Sequence, residues 1–137
     1  MGKNIRDLMT GNPRTVTQDA TVAEAARIMR DEDTGVVPIV EGGNLVGVIT
    51  DRDIAIRAVA EGKDGDTTVR DVASKDIVTV DPDQDLDEAL RLMAQHQVRR
   101  IPVVEEDGKL VGIVSQADVA RQSDDARTGD VVEQISK

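Results

Sequence analysis

The chain has no phenylalanine, tyrosine, tryptophan or cysteine, and one histidine in 137 residues. Without aromatic rings it lacks the stacking platforms on which single-stranded nucleic acid rests. The core that its 39% apolar residues can build must be aliphatic. The absence of cysteine excludes a disulfide framework and a thiol nucleophile. His96 alone, with no cysteine, cannot make an ordinary zinc site. It falls at the polar end of a predicted helix and reads as a solvated residue. There is no Walker loop and no GxGxxG, and no run approaches the ~18 apolar residues of a spanning helix. Positive charge is scarce: 17 Lys and Arg stand against 27 Asp and Glu, a net charge of −10. Phosphate-rich nucleic acid and anionic membrane both need a basic surface, so neither is expected as a partner. No hydroxyl has a paired base to activate it, so no catalysis is expected. Met1 to Asn4 leads straight into patterned sequence, so no signal peptide is expected and the cytoplasm is the default location.

What is present is a duplication. Residues 5–57 align with 69–122 at an offset of 64, becoming 65 after a one-residue insertion near Glu106, with 18 identical columns. Among them are Arg6/Arg70, Thr15/Thr79, Glu24/Glu88, Met29/Met93, Pro38/Pro102, Gly47/Gly112 and Asp53/Asp118. Two copies of so short a unit are too few for a solenoid and suggest a pseudo-symmetric pair. The first copy opens with a short helical turn over 5–9, broken at Gly11-Asn12-Pro13. A brief strand follows at 15–17. A helix starts at Thr21, which has Glu24 at capping-box spacing, and ends at Thr34-Gly35. The strand at 36–40 contains Pro38, which implies an edge or irregular position. Gly42-Gly43 predicts a hairpin into the strand at 45–49. A second helix then runs from Thr50 to about Ala60 and is expected to bury Ile54, Ala55, Ala58 and Val59. A polar linker, 61–68, leads to the second copy in the same order. Its parts are a turn at 69–73, a strand at 79–80, a helix at 86–95, strands at 101–104 and 110–114, and a helix from Ser115 to about Gln122. Val131, Val132 and Ile135 could add one more packed turn. The expected fold is mixed α/β: two pseudo-symmetric β-α-β-β-α repeats, 1–66 and 67–137, forming one module.

Two carboxylate groupings invite a functional reading. Asp81, Asp83, Asp85 and Asp87 lack the glycine and terminal glutamate of an EF-hand and fit a solvated helix start, where acids complement the dipole. The other grouping is the junction Gly47-Val48-Ile49-Thr50-Asp51-Arg52-Asp53, repeated as Gly112-Ile113-Val114-Ser115-Gln116-Ala117-Asp118. A hydroxyl at the N-cap with an acid at the third helical position is a capping box. The other two main helices, from Thr21 and Asp85, carry Glu there. Asp is one methylene shorter and is expected to reach back to the cap amide less well, leaving its carboxylate to accept hydrogen bonds from a ribose diol. The hydroxyl and amides of the same helix start would favour a phosphate. Gly47 and Gly112 either admit a ligand close to the backbone or mark strand bulges. On these residues alone, cap and binding site remain equally open.

The junctions match the G-h-x-(T/S)-x-x-D pattern of CBS motifs, and Val36-Val37-Pro38 and Arg100-Ile101-Pro102 match that family's hydrophobic-Pro strand. With the duplication, the chain resembles over residues 5–122 a stand-alone CBS pair, or Bateman module. The resemblance implies a non-catalytic regulatory module. It would bind AMP, ADP, ATP or S-adenosylmethionine in clefts between the repeats, as regulatory ligand rather than cofactor. By position, Asp53 and Asp118 would hold ribose hydroxyls, and Thr50 and Ser115 the ribose-phosphate. Val36, Val37 and Pro38 would line one adenine slot, Arg100, Ile101 and Pro102 the other, with Val16 and Val80 beside the base. The copies are unequal: Arg99 and Arg100 stand where the first copy has Gly35 and Val36, and Arg52 is replaced by Ala117. Unequal sites are therefore expected, the arginines serving either phosphate or ion pairs with Glu41 or Glu105. A homodimer and a separate effector protein are the implied partners. The alternative is a ligand-free dimerisation or interaction module.

Overall fold

The computed structural model describes residues 4–120. The expected helix at 115–122 is seen only over 116–120, and Val131, Val132 and Ile135 lie outside the described residues. In chain order there is a 3-10 turn at Ile5–Asp7, then β1 (Thr10–Gly11), α1 (Val22–Glu32), β2 (Val36–Glu41) and β3 (Asn44–Thr50). α2 (Asp51–Asp53) follows and continues as a π-type segment, Ile54–Val59. The remainder is α3 (Val69–Val72), α4 (Leu86–His96), β4 (Arg100–Val104) and β5 (Leu110–Ser115). The brief strands expected at 15–17 and 79–80 are single parallel bridges, Val16 to Ile39 and Val80 to Val103.

Two compact units form, and they are not cut where one repeat ends and the next begins. One holds residues 12–77 and 104–110; the other holds the chain up to residue 11, 78–103 and the part from 111. The segment that opens each repeat thus packs in the unit of the other. In the first-repeat unit, β2 and β3 pair antiparallel across Gly42 and Gly43, whose φ angles of +59 and +88 require glycine-like freedom. Pro38 directs its missing donor toward Val16, where a single bridge replaces a full strand. Val16, Val22, Ala25, Ile28, Met29, Val37, Ile39 and Ile49 make an aliphatic core that also takes in Val69 and Val72 of α3. The polar linker is bound rather than free. Its Thr67 and Gly65 carbonyls accept from the Val22 and Ala23 amides at 2.8 and 3.0 Å, which would otherwise be unpaired donors at the start of α1.

In the second-repeat unit the Ile5 amide donates to the Gln84 carbonyl, as the Val69 amide does to Ala20 in the first. Ile5 is fully buried with Val80, Ala89, Met93, Ile101, Val103, Val114 and Val119. β1 pairs with β5, Gly11 opposite Gly112, in the sheet order β1-β5-β4.

α1 is closed at Asp33, in the left-handed conformation (φ 52), just before the expected end at Thr34-Gly35, and Gln97 (φ 56) closes α4 in the same way. One expectation needs correction. In the π-type segment, Ala58 is buried and Ile54 half-buried, but Ala55 and Val59 are exposed. The Ala60 amide bonds the Ala55 carbonyl, five residues back. That wider turn rotates later side chains off the face a 3.6-residue period would bury.

Candidate functional site

Each junction lies where a β-strand hands over to a helix. In the first, Thr50 ends β3 opposite Val36, which begins β2. The Asp51 amide donates to the Gly35 carbonyl at 2.9 Å, closing the turn. The Asp51 carboxylate lies over Gly35, and an added Cβ would come within 2.9 Å of it. Beyond β2, the Val16 amide donates to the Pro38 carbonyl at 3.1 Å. The first strand, the Pro strand and the junction therefore stand side by side, bringing together Val16, Val36, Val37, Pro38, Thr50 and Asp53. Their exposure differs: Val37 and Pro38 are wholly buried, Val16 nearly so, Val36 and Thr50 half-buried and Arg52 exposed.

The second junction repeats this frame. The Gln116 amide donates to the Arg99 carbonyl at 2.7 Å, and Val80 donates to the Pro102 carbonyl at 3.1 Å. Val80, Ile101 and Pro102 are buried, Arg100, Ser115 and Asp118 half-buried, and Arg99 exposed. Among the described residues Arg52, Arg99 and Arg100 form no ion pair, so of the two alternatives the pairing with Glu41 or Glu105 does not occur. Glu41 instead accepts from the Gln18 amide at 3.2 Å.

The capping boxes are complete, which overturns the argument from side-chain length. Thr50 Oγ1 accepts from the Asp53 amide and Asp53 Oδ2 accepts from the Thr50 amide, both at 3.0 Å. Ser115 and Asp118 do the same at 3.0 and 3.2 Å. The longer Glu residues do not show this return bond. At Thr21 only the Glu24 amide to Thr21 Oγ1 bond is made, at 3.1 Å. Glu88 turns its carboxylate to Arg91, whose hydrogen bond and charge hold it below the ordinary glutamate range. Asp is short enough to fold back over one helical turn, whereas Glu reaches past it to neighbours on the helix face. The acidic run at 81–87 is likewise a cap, with Asp85 Oδ1 accepting from the Glu88 amide at 3.2 Å. His96 is exposed at the end of α4.

Neither glycine opens the backbone to a ligand. A Cβ on Gly47 would lie 3.2 Å from the Ser74 carbonyl, and one on Gly112 would lie 2.8 Å from the Thr10 carbonyl. The register irregularity sits between Ile39 and Val40, next to Gly47's partner. These glycines admit the opening segment of the other repeat.

Sequence reasoning missed Ser74. Its Oγ donates to Asp53, 3.1 Å from Oδ1 and 3.2 Å from Oδ2, and Arg57 Nε lies 3.9 Å from Oδ1. Asp53 is 7% exposed, the one buried charged residue among those described. The signal was available, since Ser74 aligns with Thr10 as a hydroxyl in both copies. Also missed was an open cavity of about 610 Å³ beside Val16, where Arg14 and Arg27 face Asp19, Glu24 and Asp31.

The CBS domain family matches at residues 5–59 and again at 69–125. The chain belongs to the CBS-domain family. "CBS domain-containing protein YhcV" of Bacillus subtilis is 42% identical over 134 residues, covering 97% of this chain and 95% of that protein. Solved structures share the CBS-pair fold. Hypoxic Response Protein I with two coordinated zinc ions has a TM-score of 0.80 at 41% identity, covering 87% of this chain and 98% of that one. CBSX2 in complex with AMP has a TM-score of 0.78 at 26% identity, over 89% and 96%. The CBS domain pair of MJ0100, with 5-methylthioadenosine and S-adenosyl-L-methionine, has a TM-score of 0.81 at 27% identity, over 93% and 100%. Among the described residues no group of three or more His, Cys, Asp or Glu could hold a metal ion. No described helix is long and apolar enough to cross a membrane.

Proposed function

We propose that this CBS pair is a non-catalytic sensor that binds an adenosine-containing ligand at its strand-to-helix junctions and passes the ligand state to a partner protein. The observation that carries this reading is the arrangement at each junction. A first-strand Val, a Pro strand, a hydroxyl and a carboxylate are fixed side by side twice over, in a fold that CBSX2 and MJ0100 use with adenosine compounds. An aliphatic slot beside Val16 or Val80 receives the base without aromatic stacking. The carboxylate suits a vicinal diol, because it only accepts hydrogen bonds. Arg99 and Arg100, unpaired with any described acid, suit a phosphate. The second junction is the stronger site: it has those arginines, and Asp118 is less buried than Asp53. Linkage does the signalling, since a ligand that binds one arrangement of the chain better shifts the population toward it. A melting panel with AMP, ADP, ATP, S-adenosylmethionine and NADH tests the reading. A ligand at ~100 times its dissociation constant adds ~2.7 kcal/mol, a rise of roughly 10 °C for a chain of this length. A panel in which nothing moves the melting curve contradicts it.

The complete capping boxes favour a second reading, a ligand-free dimerisation module. Ile56 and Val59, left 46% and 68% exposed by the π-type segment, give either reading a homodimer face. Val59→Glu should shift sedimentation from dimer to monomer at micromolar concentration. A parent chain that sediments as a monomer would remove the dimer.

A further inference from the structure

We propose that the Ser74 hydroxyl is a gate on the first junction, occupying the face of Asp53 that a ligand's diol needs. The proposal rests on the ligand reading above and concerns the regulation of that site. A hydroxyl 3.1 and 3.2 Å from the two carboxylate oxygens sits between them. A vicinal diol gripping both oxygens would donate from the same place. The Thr50 amide already holds Oδ2 from within the helix cap at 3.0 Å. The Asp53 side chain is 8% exposed, with Arg57 Nε 3.9 Å from Oδ1, so little of the carboxylate is left open. A diol that grips both oxygens therefore displaces Ser74.

The gate is built to move at the side chain alone. The Ser74 backbone is pinned by two bonds to Val48, at 3.0 and 3.1 Å, in an antiparallel bridge. Its hydroxyl turns about one unbranched bond, a rotation on the picosecond-to-nanosecond scale. In the second-repeat unit the same column is Thr10 of the first repeat, which bridges Ile113 and is exposed. Threonine's branched side chain has fewer χ1 choices. The two junctions thus share one frame, and at the first a movable hydroxyl covers the carboxylate.

Calorimetry of the full chain tests this with AMP, and with S-adenosylmethionine in parallel. The parent chain should show one site per chain in the accessible range. Ser74→Ala should reveal a second site, tightened roughly tenfold as a competing charge-assisted hydrogen bond is removed. Adding Asp53→Asn to Ser74→Ala should abolish that second site, and Ser74→Thr should retain the parent stoichiometry. A Ser74→Ala chain that binds as the parent does overturns the gate while leaving the second junction's ligand intact. Weaker binding in Ser74→Ala overturns it too, because Ser74 would then be a positioning contact. If neither chain binds any nucleotide, the ligand reading falls and takes the gate with it.

Discussion

Replacing Ile5 by alanine should lower stability by about 3 kcal/mol, within the range for truncating a buried isoleucine, and should lower the melting temperature by roughly 10 °C. The cost follows from burial and backbone bonding rather than from position in the sequence. Ile5 has zero exposure and packs against Val80, Ile101, Val103 and Val114 of the second repeat. Its amide is tied to the Gln84 carbonyl at 2.9 Å, and the neighbouring Arg6 amide to the Pro82 carbonyl at 2.9 Å. The loss should be local. Amide hydrogen exchange should speed first in 78–103 and 111–120, while the core of Ile39, Ile49 and Val72 keeps its protection. A near-neutral Ile5→Ala, or faster exchange confined to residues 12–77, would contradict the exchange of opening segments between repeats.

Asp53→Ala should cost about as much, for a different reason. The substitution removes the acceptor of the Thr50 amide, worth about 1 kcal/mol as a cap. It also strands the Ser74 hydroxyl, and an unpaired part-buried donor costs about 1–3 kcal/mol more. Asp53→Asn keeps a carbonyl oxygen for one of these donors and should lose less. Asp118→Ala, at a half-buried position, should cost nearer 1 kcal/mol. Equal losses at Asp53 and Asp118 in chemical denaturation would mean that the burial of Asp53 and its bond to Ser74 add nothing.

The periodic parts of the fold were legible in the sequence. α1 and α4 carry their apolar residues on one face, Gly42-Gly43 fixes the hairpin, and the duplication gives the order of elements twice. Three things were not legible. The pairing of β1 with β5 joins residues about a hundred positions apart, and no local pattern in Thr10–Gly11 points to it. The π-type segment has the composition of an ordinary helix, so period alone placed Ala55 and Val59 inside. The return bond from Asp53 to Thr50 depends on how far a side chain reaches around one turn, and intuition about length had the wrong sign. For the candidate site, the residues named from sequence lie side by side in two groups. The sequence did not show that Val37 and Ile101 spend their side chains in the core, or that Ser74 covers Asp53. A carboxylate can cap a helix and face a ligand at once, so the cap does not decide the function.

The measurement that bears most directly on the central claim is calorimetry of AMP and S-adenosylmethionine binding to the parent chain, Asp53→Asn and Asp118→Asn. The account predicts that the parent binds at least one of the two ligands, that Asp118→Asn abolishes that binding, and that Asp53→Asn leaves it in place. Binding that survives Asp118→Asn undiminished, or two equal sites in the parent, would contradict it.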